Sequence, residues 1–397
     1  MYGHIMETAR RYTHLTRLRF TGLALVGLLA ACGSGATAPA SSAPAPASTA
    51  ASAKPAASIQ AASVSAKPAA SASAKPVASG NLTKVSVGLL FSTSDSGILI
   101  AQDRGYFKDQ GIQIETHRFN TLVDMVAPVG AGQLDIAAGA PAAGLYNAIG
   151  RNVLVRIVAD KGNAPSPQWD FTGLVLRKDL IDSGKVKDFK DLKGLKLVTS
   201  GKGNSPEVSL AAALKKGGLT LKDIDFEQMG FPDMVTALAN KGIDGGIVIE
   251  PFMSRIVAAG TGVVWKRNLD LLGHNQQIAV IAYGQKIFSN QDLGRRWMVA
   301  YIKGLRDYND AFGPKKKGYD NVVKILAKYT SVKDPKVYTE MTPAGLDPNG
   351  KLDAASMQED VNYYQQAGYL KEKVDLSKLI DTSFQQYAVQ QLGPYKP

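Results

Sequence analysis

The chain has 397 residues, one cysteine and a formal net charge of +12 at pH 7. A single cysteine excludes an internal disulfide and a metal site built from several thiolates. Four arginines and one glutamate precede Cys32, and residues 32–81 hold three lysines and no acid, so half of the net charge remains for residues 82–397. That charge is moderate, and the sequence has no basic stripe with interleaved aromatics. No nucleic-acid partner is therefore predicted. Binding to anionic solutes or to an anionic membrane face remains open.

The N-terminus carries the pattern of an export signal. Four arginines precede a short apolar run, 23–29, and small residues then lead up to Cys32. The run is too short to cross a hydrocarbon core of about 30 Å as a helix. Residues 1–31 are therefore predicted to be a cleaved signal peptide.

The residues Leu-Ala-Ala-Cys, which end at Cys32, resemble the bacterial lipobox. This resemblance implies that Cys32 is lipidated and that two or three acyl chains hold the protein at a membrane. One chain binds only reversibly, whereas two give stable anchoring. The alternative is an ordinary cleaved signal with an incidental cysteine. With Cys32 lipidated, the rest of the chain has no thiol for catalysis or metal binding.

The segment 33–80 consists mainly of Ala, Ser and Pro with three Lys-Pro pairs. Such a composition cannot bury enough apolar surface to fold. We interpret residues 32–81 as a disordered tether behind the lipidated cysteine. Its 48 residues after Cys32 would span about 40 Å as a flexible coil and up to about 150 Å as polyproline II.

The folded part alternates short apolar runs with helical patterns, and its length favours two lobes. Buried strands without alternation, separated by helices, indicate parallel sheets with helices on both faces. In the first stretch, strands are predicted at 85–91, 112–115, 134–138 and 153–159, and helices at 98–107, 121–132 and 141–149. In the second, strands are predicted at 195–199, 225–229 and 246–249, and helices at 206–216 and 232–240.

The C-terminal third has one further apolar run, 278–283, and is otherwise helical. Five residues at spacings of three and four form one helix face, which predicts core packing rather than a cofactor site. They are Trp297, Tyr301, Leu305, Tyr308 and Phe312. Later helices are predicted at 319–328, 354–366 and 376–392.

Three sequence blocks resemble the sulfonate/nitrate/taurine and thiamine-pyrimidine-precursor group of periplasmic solute-binding proteins. They are Lys-Val-Ser-Val-Gly-Leu from Lys84 with Ala-Gln-Asp-Arg-Gly-Tyr-Phe-Lys-Asp-Gln-Gly-Ile from Ala101, Gly-Gln-Leu-Asp-Ile-Ala-Ala-Gly from Gly132, and Gly-Ile-Asp-Gly-Gly-Ile-Val-Ile-Glu-Pro-Phe from Gly242. The cysteine-rich iron-site motif of some eukaryotic relatives is absent, so their self-consuming chemistry is not expected.

The resemblance implies an α/β, two-lobed type II periplasmic-binding-protein fold. Its doubly wound sheets would carry a helical C-terminal extension packed on lobe one. Lobe one would comprise 82–177 and 275–397, lobe two would comprise 185–268, and the lobes would close on a solute between them.

The residues alone predict the same cleft, because ligands of open α/β sheets bind beyond the carboxyl ends of the strands, at helix N-termini. Each lobe has residues with this placement. In lobe one they are the loop 92–96, with Ser94 and Asp95, and the pair Ala140 and Pro141 after a later strand. In lobe two they are the loop 201–206, with Gly203, Asn204 and Ser205. In the second, Ser205 is expected to cap a helix that begins at Pro206. Taken singly, each loop is better explained by ordinary helix capping or a tight turn. The placement of these loops after corresponding strands in both lobes favours ligand contact for at least some of them. The glycine spacing lacks the third glycine of a dinucleotide loop, so nucleotide binding is not predicted.

Further candidates lie in loops at the same sheet edges. Aromatic rings there could stack on a planar ligand, and a lysine could meet an anionic one. A carboxylate that ends a buried strand needs a partner, which for Glu250 could be ligand or a hinge residue such as Arg255. These candidates are Asn120, Thr121, Lys161, Trp169, Phe231, Glu250, Phe252, Gln276 and Gln277.

No residue pattern indicates catalysis. The two histidines after the signal, His117 and His274, stand apart from any Ser or paired-carboxylate motif, and the Gly-x-Ser-x-Gly and His-Glu-x-x-His patterns are absent. The predicted function is the extracytoplasmic solute-binding component of an ABC importer, a monomer without cofactor or metal that delivers its solute to a permease and its ATPase. The alternatives are an exported hydrolase and a surface lipoprotein without a transport role. A planar heterocycle, such as a pyrimidine or a flavin vitamin, or an organic sulfonate is the expected ligand.

Overall fold

The computed structural model describes residues 81–151 and 153–396. The predicted signal peptide, Cys32 and the tether up to residue 80 lie outside the described residues. No helix within the described ranges is long and apolar enough to cross a membrane.

The described residues form ten strands in two five-stranded sheets. In chain order the strands are β1 Thr83–Leu89, β2 Ile112–Arg118, β3 Ile136–Gly139, β4 Val155–Asn163, β5 Thr172–Arg177, β6 Lys196–Thr199, β7 Asp225–Gln228, β8 Gly245–Ile249, β9 Gly262–Arg267 and β10 Gln277–Gly284.

Helices cover the sheets and make up most of the C-terminal third. The α-helices of the described chain are α1 Ser96–Asp103, α2 Tyr106–Asp109, α3 Val123–Gly130, α4 Ala143–Gly150, α5 Lys178–Asp182, α6 Ser205–Lys216, α7 Phe231–Ala239, α8 Phe252–Ala258, α9 Asn268–Leu272, α10 Gln285–Ser289, α11 Gln291–Phe312, α12 Tyr319–Tyr329, α13 Pro335–Glu340, α14 Ala354–Gln366 and α15 Ser383–Leu392. Short 3₁₀ helices lie at Thr93–Asp95, Pro167–Trp169, Phe189–Leu192, Leu221–Asp223 and Leu376–Lys378.

The two sheets share one plan. The first has the order β2-β1-β3-β10-β4 and the second has the order β7-β6-β8-β5-β9. In the first sheet β1 pairs in parallel with β2 and β3, and β10 runs antiparallel to β3 and β4. In the second, β6 pairs in parallel with β7 and β8, and β5 runs antiparallel to β8 and β9. Strand β1 of the first sheet thus corresponds to β6 of the second.

The sequence pattern predicts parallel sheets, but both sheets are mixed, because β10 and the unpredicted strand β5 run antiparallel to their neighbours. The chain passes from β4 into β5 and returns from α9 into β10, so each of these strands enters its sheet from the other one. A strand that enters at the edge where its parallel neighbours end must run in the opposite direction. Because β5 lies in the second sheet, the expected first lobe, which extended to residue 177, included a strand that pairs with the other sheet.

The core of the first sheet is completed by α11, the long helix of the C-terminal third. Four of the predicted stripe residues are fully buried, and Phe312 packs partly buried against the same core, so the prediction of core packing is confirmed. At the crossing of α11 with α1, a Cβ on Gly304 would overlap the carbonyl oxygen of Gly97. Glycine at Gly304 therefore lets α11 press directly on α1, the helix that follows the loop 92–96.

The predicted helix 376–392 is interrupted. Residues 379–381 bond instead to the outer side of β4, where Ile157 N donates to Leu379 O and Asp381 N donates to Ile157 O. An edge strand has unpaired backbone groups, and this short segment satisfies some of those on β4. The helix proper, α15, starts only at Ser383.

Candidate ligand cleft

A small cavity of about 20 Å³ lies between the carboxyl ends of the two sheets. It borders a wider space of about 420 Å³, the vestibule, with which it shares the lining residues Thr121, Val123 and Ser200. The first sheet and its loops contribute Leu90, Ser94, Leu122, Ala140, Lys161, Ile278 and Ala279 to the cavity wall. The second contributes Ser200, Asn204, Pro206, Phe231 and Ile249, and Phe171 lies on the segment between the sheets. The cavity has about the volume of one water. The half of the molecule built on the first sheet and the half built on the second therefore lie closed upon each other.

The loop 92–96 owes its position to an unusual turn after β1. Phe91 has a φ of 56°, a left-handed conformation that a bulky residue seldom adopts, and its ring lies 4.3 Å from the guanidinium carbon of Arg118. Such strain is found where the surrounding structure holds a functional segment in place. The turn directs the following residues into the interior, where Ser92, Ser94 and Asp95 are at most 2% exposed.

Lys161 lines the cavity and forms a buried ion pair with Asp95, which lies behind the wall. Lys161 Nζ lies 2.9 Å from Asp95 Oδ1 and donates to Ser94 Oγ at 2.7 Å. The second carboxylate oxygen of Asp95 accepts from Ser92 N at 2.9 Å, and the hydroxyl oxygens of Ser92 and Ser94 are 2.9 Å apart. The side chains of Lys161 and Asp95 are 1% and 0% exposed, so each charge depends on the other for compensation.

In the second half, Asn204 rather than the predicted Ser205 caps α6. Asn204 Oδ1 accepts from Glu207 N at 3.1 Å, and its amide donates to Ser200 Oγ at 3.2 Å. The buried carboxylate of Glu207 accepts from Gly203 N at 3.0 Å and from Tyr363 OH at 2.9 Å. Ser205 begins the helix instead, which frees its hydroxyl to donate across the cleft to Ile278 O at 2.9 Å.

Direct backbone contacts also join the two halves. Ala143 N donates to Gly203 O at 2.7 Å, where the start of α4 meets the glycine loop. Thr93 Oγ1 donates to Glu250 O at 3.0 Å. These bonds cross the cleft and join the first half of the molecule to the second.

A buried polar network lies where the chain returns to the first sheet. Gln276 donates to Ser205 O at 3.2 Å and to Asp360 Oδ1 at 2.9 Å, and it accepts from the amide of Asn268 at 3.0 Å. Burial raises the pKa of Asp360 well above its usual range. The network links α6 of the second half, the segment that returns to the first sheet, and α14.

Eleven of the predicted site residues lie at or beside the cleft. Six of them line the cavity, namely Ser94, Thr121, Ala140, Lys161, Asn204 and Phe231. Asp95 lies behind the wall as the partner of Lys161, and the exposed Asn120 stands at the rim against Gly230. The remaining three are Gly203 and Ser205, in the contacts between the halves, and the buried Pro141, whose carbonyl accepts from Tyr364 OH at 3.3 Å.

Four other predicted residues do not line the cavity. Phe252 lies behind the wall and stacks on Phe231 at 6.0 Å. Gln277 is buried in the first sheet, where its amide donates to Asp160 Oδ1 at 2.6 Å. Half-buried Trp169 belongs to the turn that bonds to the C-terminal third through Gly345 N. The fourth is Glu250.

Glu250 points to the opposite face because side chains alternate along a strand and Ile249 faces the cavity. Its carboxylate accepts from Ser254 N and Oγ, both at 3.0 Å, and Arg267 lies 4.0 Å away. The suggested partner Arg255 is therefore replaced by Ser254 and Arg267. Burial raises the pKa of the Glu250 carboxyl.

The sequence reasoning missed most of the apolar wall, namely Leu90, Leu122, Phe171, Ile249 and Ile278. The predicted residues are mostly polar ones that follow strands, whereas these apolar residues end strands or flank them. The same strand-end rule, applied to apolar residues, would have indicated Leu90 and Ile249. No group of three or more His, Cys, Asp or Glu side chains within residues 81–151 and 153–396 is placed to hold a metal ion.

A family described as NMT1/THI5 like matches residues 92–308, more than half of the chain. The chain belongs to this family. Among curated relatives, a binding protein of Brucella abortus is 28% identical over 243 residues, which cover 61% of this chain and 69% of the relative. A 4-amino-5-hydroxymethyl-2-methylpyrimidine phosphate synthase of Aspergillus parasiticus is 29% identical over 153 residues, 38% of this chain and 41% of that enzyme.

Solved structures show the fold of this NMT1/THI5-like protein. The alkanesulfonate-binding protein SsuA from Xanthomonas axonopodis pv. citri, bound to MOPS, aligns with a TM-score of 0.60 at 15% identity, over 76% of this chain and 99% of that one. The periplasmic nitrate-binding protein NrtA from Synechocystis aligns with a TM-score of 0.64 at 14% identity, over 78% and 89%. The predicted type II periplasmic-binding-protein fold is thereby confirmed, and at these identities the likeness concerns the fold alone.

Proposed function

We propose that this protein is the extracytoplasmic solute-binding component of an ABC importer and captures a small organic solute between its two halves. The observation that carries the proposal is the cavity, whose wall is built from both sheets and combines apolar side chains with Ser94, Lys161, Ser200 and Asn204. Ligand pockets have this composition, with a few polar groups set among apolar ones.

Capture would proceed by closure of the halves around the solute. A ligand shifts an open and closed equilibrium only if it binds the two states differently, which requires contacts from both halves in the closed state. Ser94 and Asn204 supply such contacts from opposite sides. The closed form would then dock on a permease, and ATP hydrolysis by its ATPase would drive release.

Membrane anchoring belongs to the same proposal. The lipidated Cys32 would hold the protein at a membrane surface, and the tether would let the folded part reach the permease. The change Cys32→Ser should release the protein from the membrane fraction after cell disruption. Unchanged fractionation of this variant would speak for another means of attachment.

The direction of the hydrogen bond between Lys161 and the buried Ser94 supports binding rather than nucleophilic catalysis. Lys161 Nζ donates to Ser94 Oγ, and the ammonium is paired with Asp95. A serine nucleophile needs a neighbouring base that accepts its proton, whereas this serine oxygen accepts a hydrogen bond from a cation.

Ligand-dependent stability tests the receptor function. The purified protein would be heated with a panel of sulfonates, nitrate, pyrimidines and flavins. A compound at 100 times its Kd stabilises the folded state by about 2.7 kcal/mol, which raises the Tm measurably. Consumption of a compound would instead indicate an enzyme, and a panel that gives neither a shift nor turnover would contradict the proposal.

A further inference from the structure

The charge of the cavity is compensated before any solute enters. Lys161 is the one charged side chain in the wall, as far as the described residues form it. Its ammonium lies 2.9 Å from the carboxylate of Asp95, and neither side chain is more than 1% exposed. A cation held this way presents a hydrogen-bond donor to the cavity without net positive charge.

Three backbone donors at the cleft loops are also occupied, two of them by the chain's own carboxylates. Free N–H groups at the start of a helix form a common binding site for anions. Here Ser92 N donates to Asp95, and Gly203 N donates to Glu207. Glu207 N in turn donates to the side chain of Asn204. An anionic solute would have to compete with carboxylates that are already buried at these positions.

The rest of the wall offers little to an ionised group. Phe171, Phe231 and Ile249 are at most 4% exposed and surround the space with apolar surface. An ionised group that is buried without a partner pays a large desolvation cost. Flat aromatic walls favour a planar apolar body instead, and Phe231 is backed by the stacked ring of Phe252.

The vestibule carries no net charge that would select an anion. Its described lining has one acid, Asp124, and one base, Lys202. Asp124 accepts from Thr121 N at 3.1 Å, so it is engaged in the turn before α3.

We infer that the cleft selects a neutral solute with a planar or apolar body and a few hydrogen-bonding groups, and that it discriminates against sulfonates, nitrate and other anions. This inference rests on the proposed function and narrows its ligand class. The polar contacts of the neutral solute come from Ser94, Lys161, Ser200 and Asn204. Asp95 is the residue that sets the discrimination, because it cancels the charge of Lys161.

Matched pairs of compounds test the inference by calorimetry at pH 7. Nicotinamide is compared with nicotinate, and benzenesulfonamide with benzenesulfonate, since each pair shares a ring and differs in charge. The wild-type protein is expected to bind the neutral member of a pair at least about tenfold more tightly, because the anionic member would lose its hydration without gaining an uncompensated cation. This comparison needs no variant to fold.

The variant Asp95→Asn tests the cause. It leaves the charge of Lys161 uncompensated, so the affinity for benzenesulfonate should rise at least about tenfold. The double variant Asp95→Asn with Lys161→Met removes both charges and should show no such gain. Asp182→Asn is the control for net charge, because it makes the same change at an exposed ion pair with Lys178.

Each result decides between the two proposals. Preference of the wild type for the anionic members, or no gain in anion affinity in folded Asp95→Asn, would overturn the inference and leave the receptor function standing. An equal gain in Asp182→Asn would also overturn it, because the effect would then be one of overall charge. Absence of binding by every compound to every variant would overturn the receptor function together with the inference.

Discussion

The loops after β1 and β6 occupy the same place in two sheets of the same strand order, and yet they are built from different interactions. The loop after β1 buries an ion pair, Asp95 with Lys161, at the cavity wall. The loop after β6 uses the uncharged cap Asn204, and its carboxylate, Glu207, is held by a backbone N–H and a tyrosine hydroxyl. The common plan brings both loops to the cleft, whereas the side chains decide how each is stabilised and what it offers a solute.

The largest expected effect is on the charged side of this comparison. Lys161→Met leaves the buried carboxylate of Asp95 without its cation and should lower the free energy of unfolding by about 3–5 kcal/mol. Urea denaturation measures the loss. The double variant with Asp95→Leu should recover most of it, since an apolar pair often replaces a buried ion pair without cost. Equal stability of the single and double variants would show that the ion pair does not stabilise the loop after β1.

The carboxylate of the second half should be less sensitive. Tyr363→Phe removes the hydroxyl that donates to Glu207 Oε1, and a buried acceptor that loses a partner costs about 1–3 kcal/mol. The same denaturation experiment measures this change. Tyr387→Phe on α15 is the matched control, because its ring lies by Arg295 and away from the cleft. If the two variants lose the same free energy of unfolding, the Tyr363 hydroxyl has no special role in stability.

A smaller loss is expected at the uncharged cap. Asn204→Ala removes the acceptor for Glu207 N and should cost about 1 kcal/mol, whereas Asn204→Ser keeps a capping oxygen and should cost much less. Thermal unfolding of the two variants side by side tests this. A loss in the alanine variant as large as that of Lys161→Met would erase the proposed difference between the halves.

The last expected effect depends on pH and concerns Asp360, where the halves meet. Because burial raises the pKa of Asp360, the folded state holds this proton more tightly than the unfolded chain. The resulting stability is complete below about pH 4, the pKa of an unperturbed carboxyl, and is lost as the pH rises through the folded pKa.

The variant Asp360→Asn keeps an acceptor for Gln276 and lacks the titration. Relative to the wild type, it should therefore gain stability between pH 5 and pH 8. Burial also raises the pKa of Asp160 to about 7 and that of Asp170 to about 6, but both remain in each protein, so the difference isolates Asp360. A stability difference that is constant with pH would contradict this role.

The sequence by itself determined the elements with a strong local pattern. The helix 354–366 agrees with α14 at both ends, and the aromatic stripe of α11 is buried as its spacing predicts. The loops 92–96 and 201–206 follow strands, and the rule that ligands meet the ends of parallel strands placed both at one cleft. These features depend on periodicity and turn chemistry, which neighbouring residues encode together.

Only the tertiary structure decided which of those residues meet. Ser94 and Lys161 are 67 residues apart in the chain. Nothing in their local patterns indicates that Lys161 is paired with Asp95 rather than free to bind an anion. The antiparallel direction of β5 and β10 follows likewise from the path of the chain between the sheets. Contacts between distant residues depend on how whole elements pack, and so the location of the cleft could be predicted from the sequence while its charge could not.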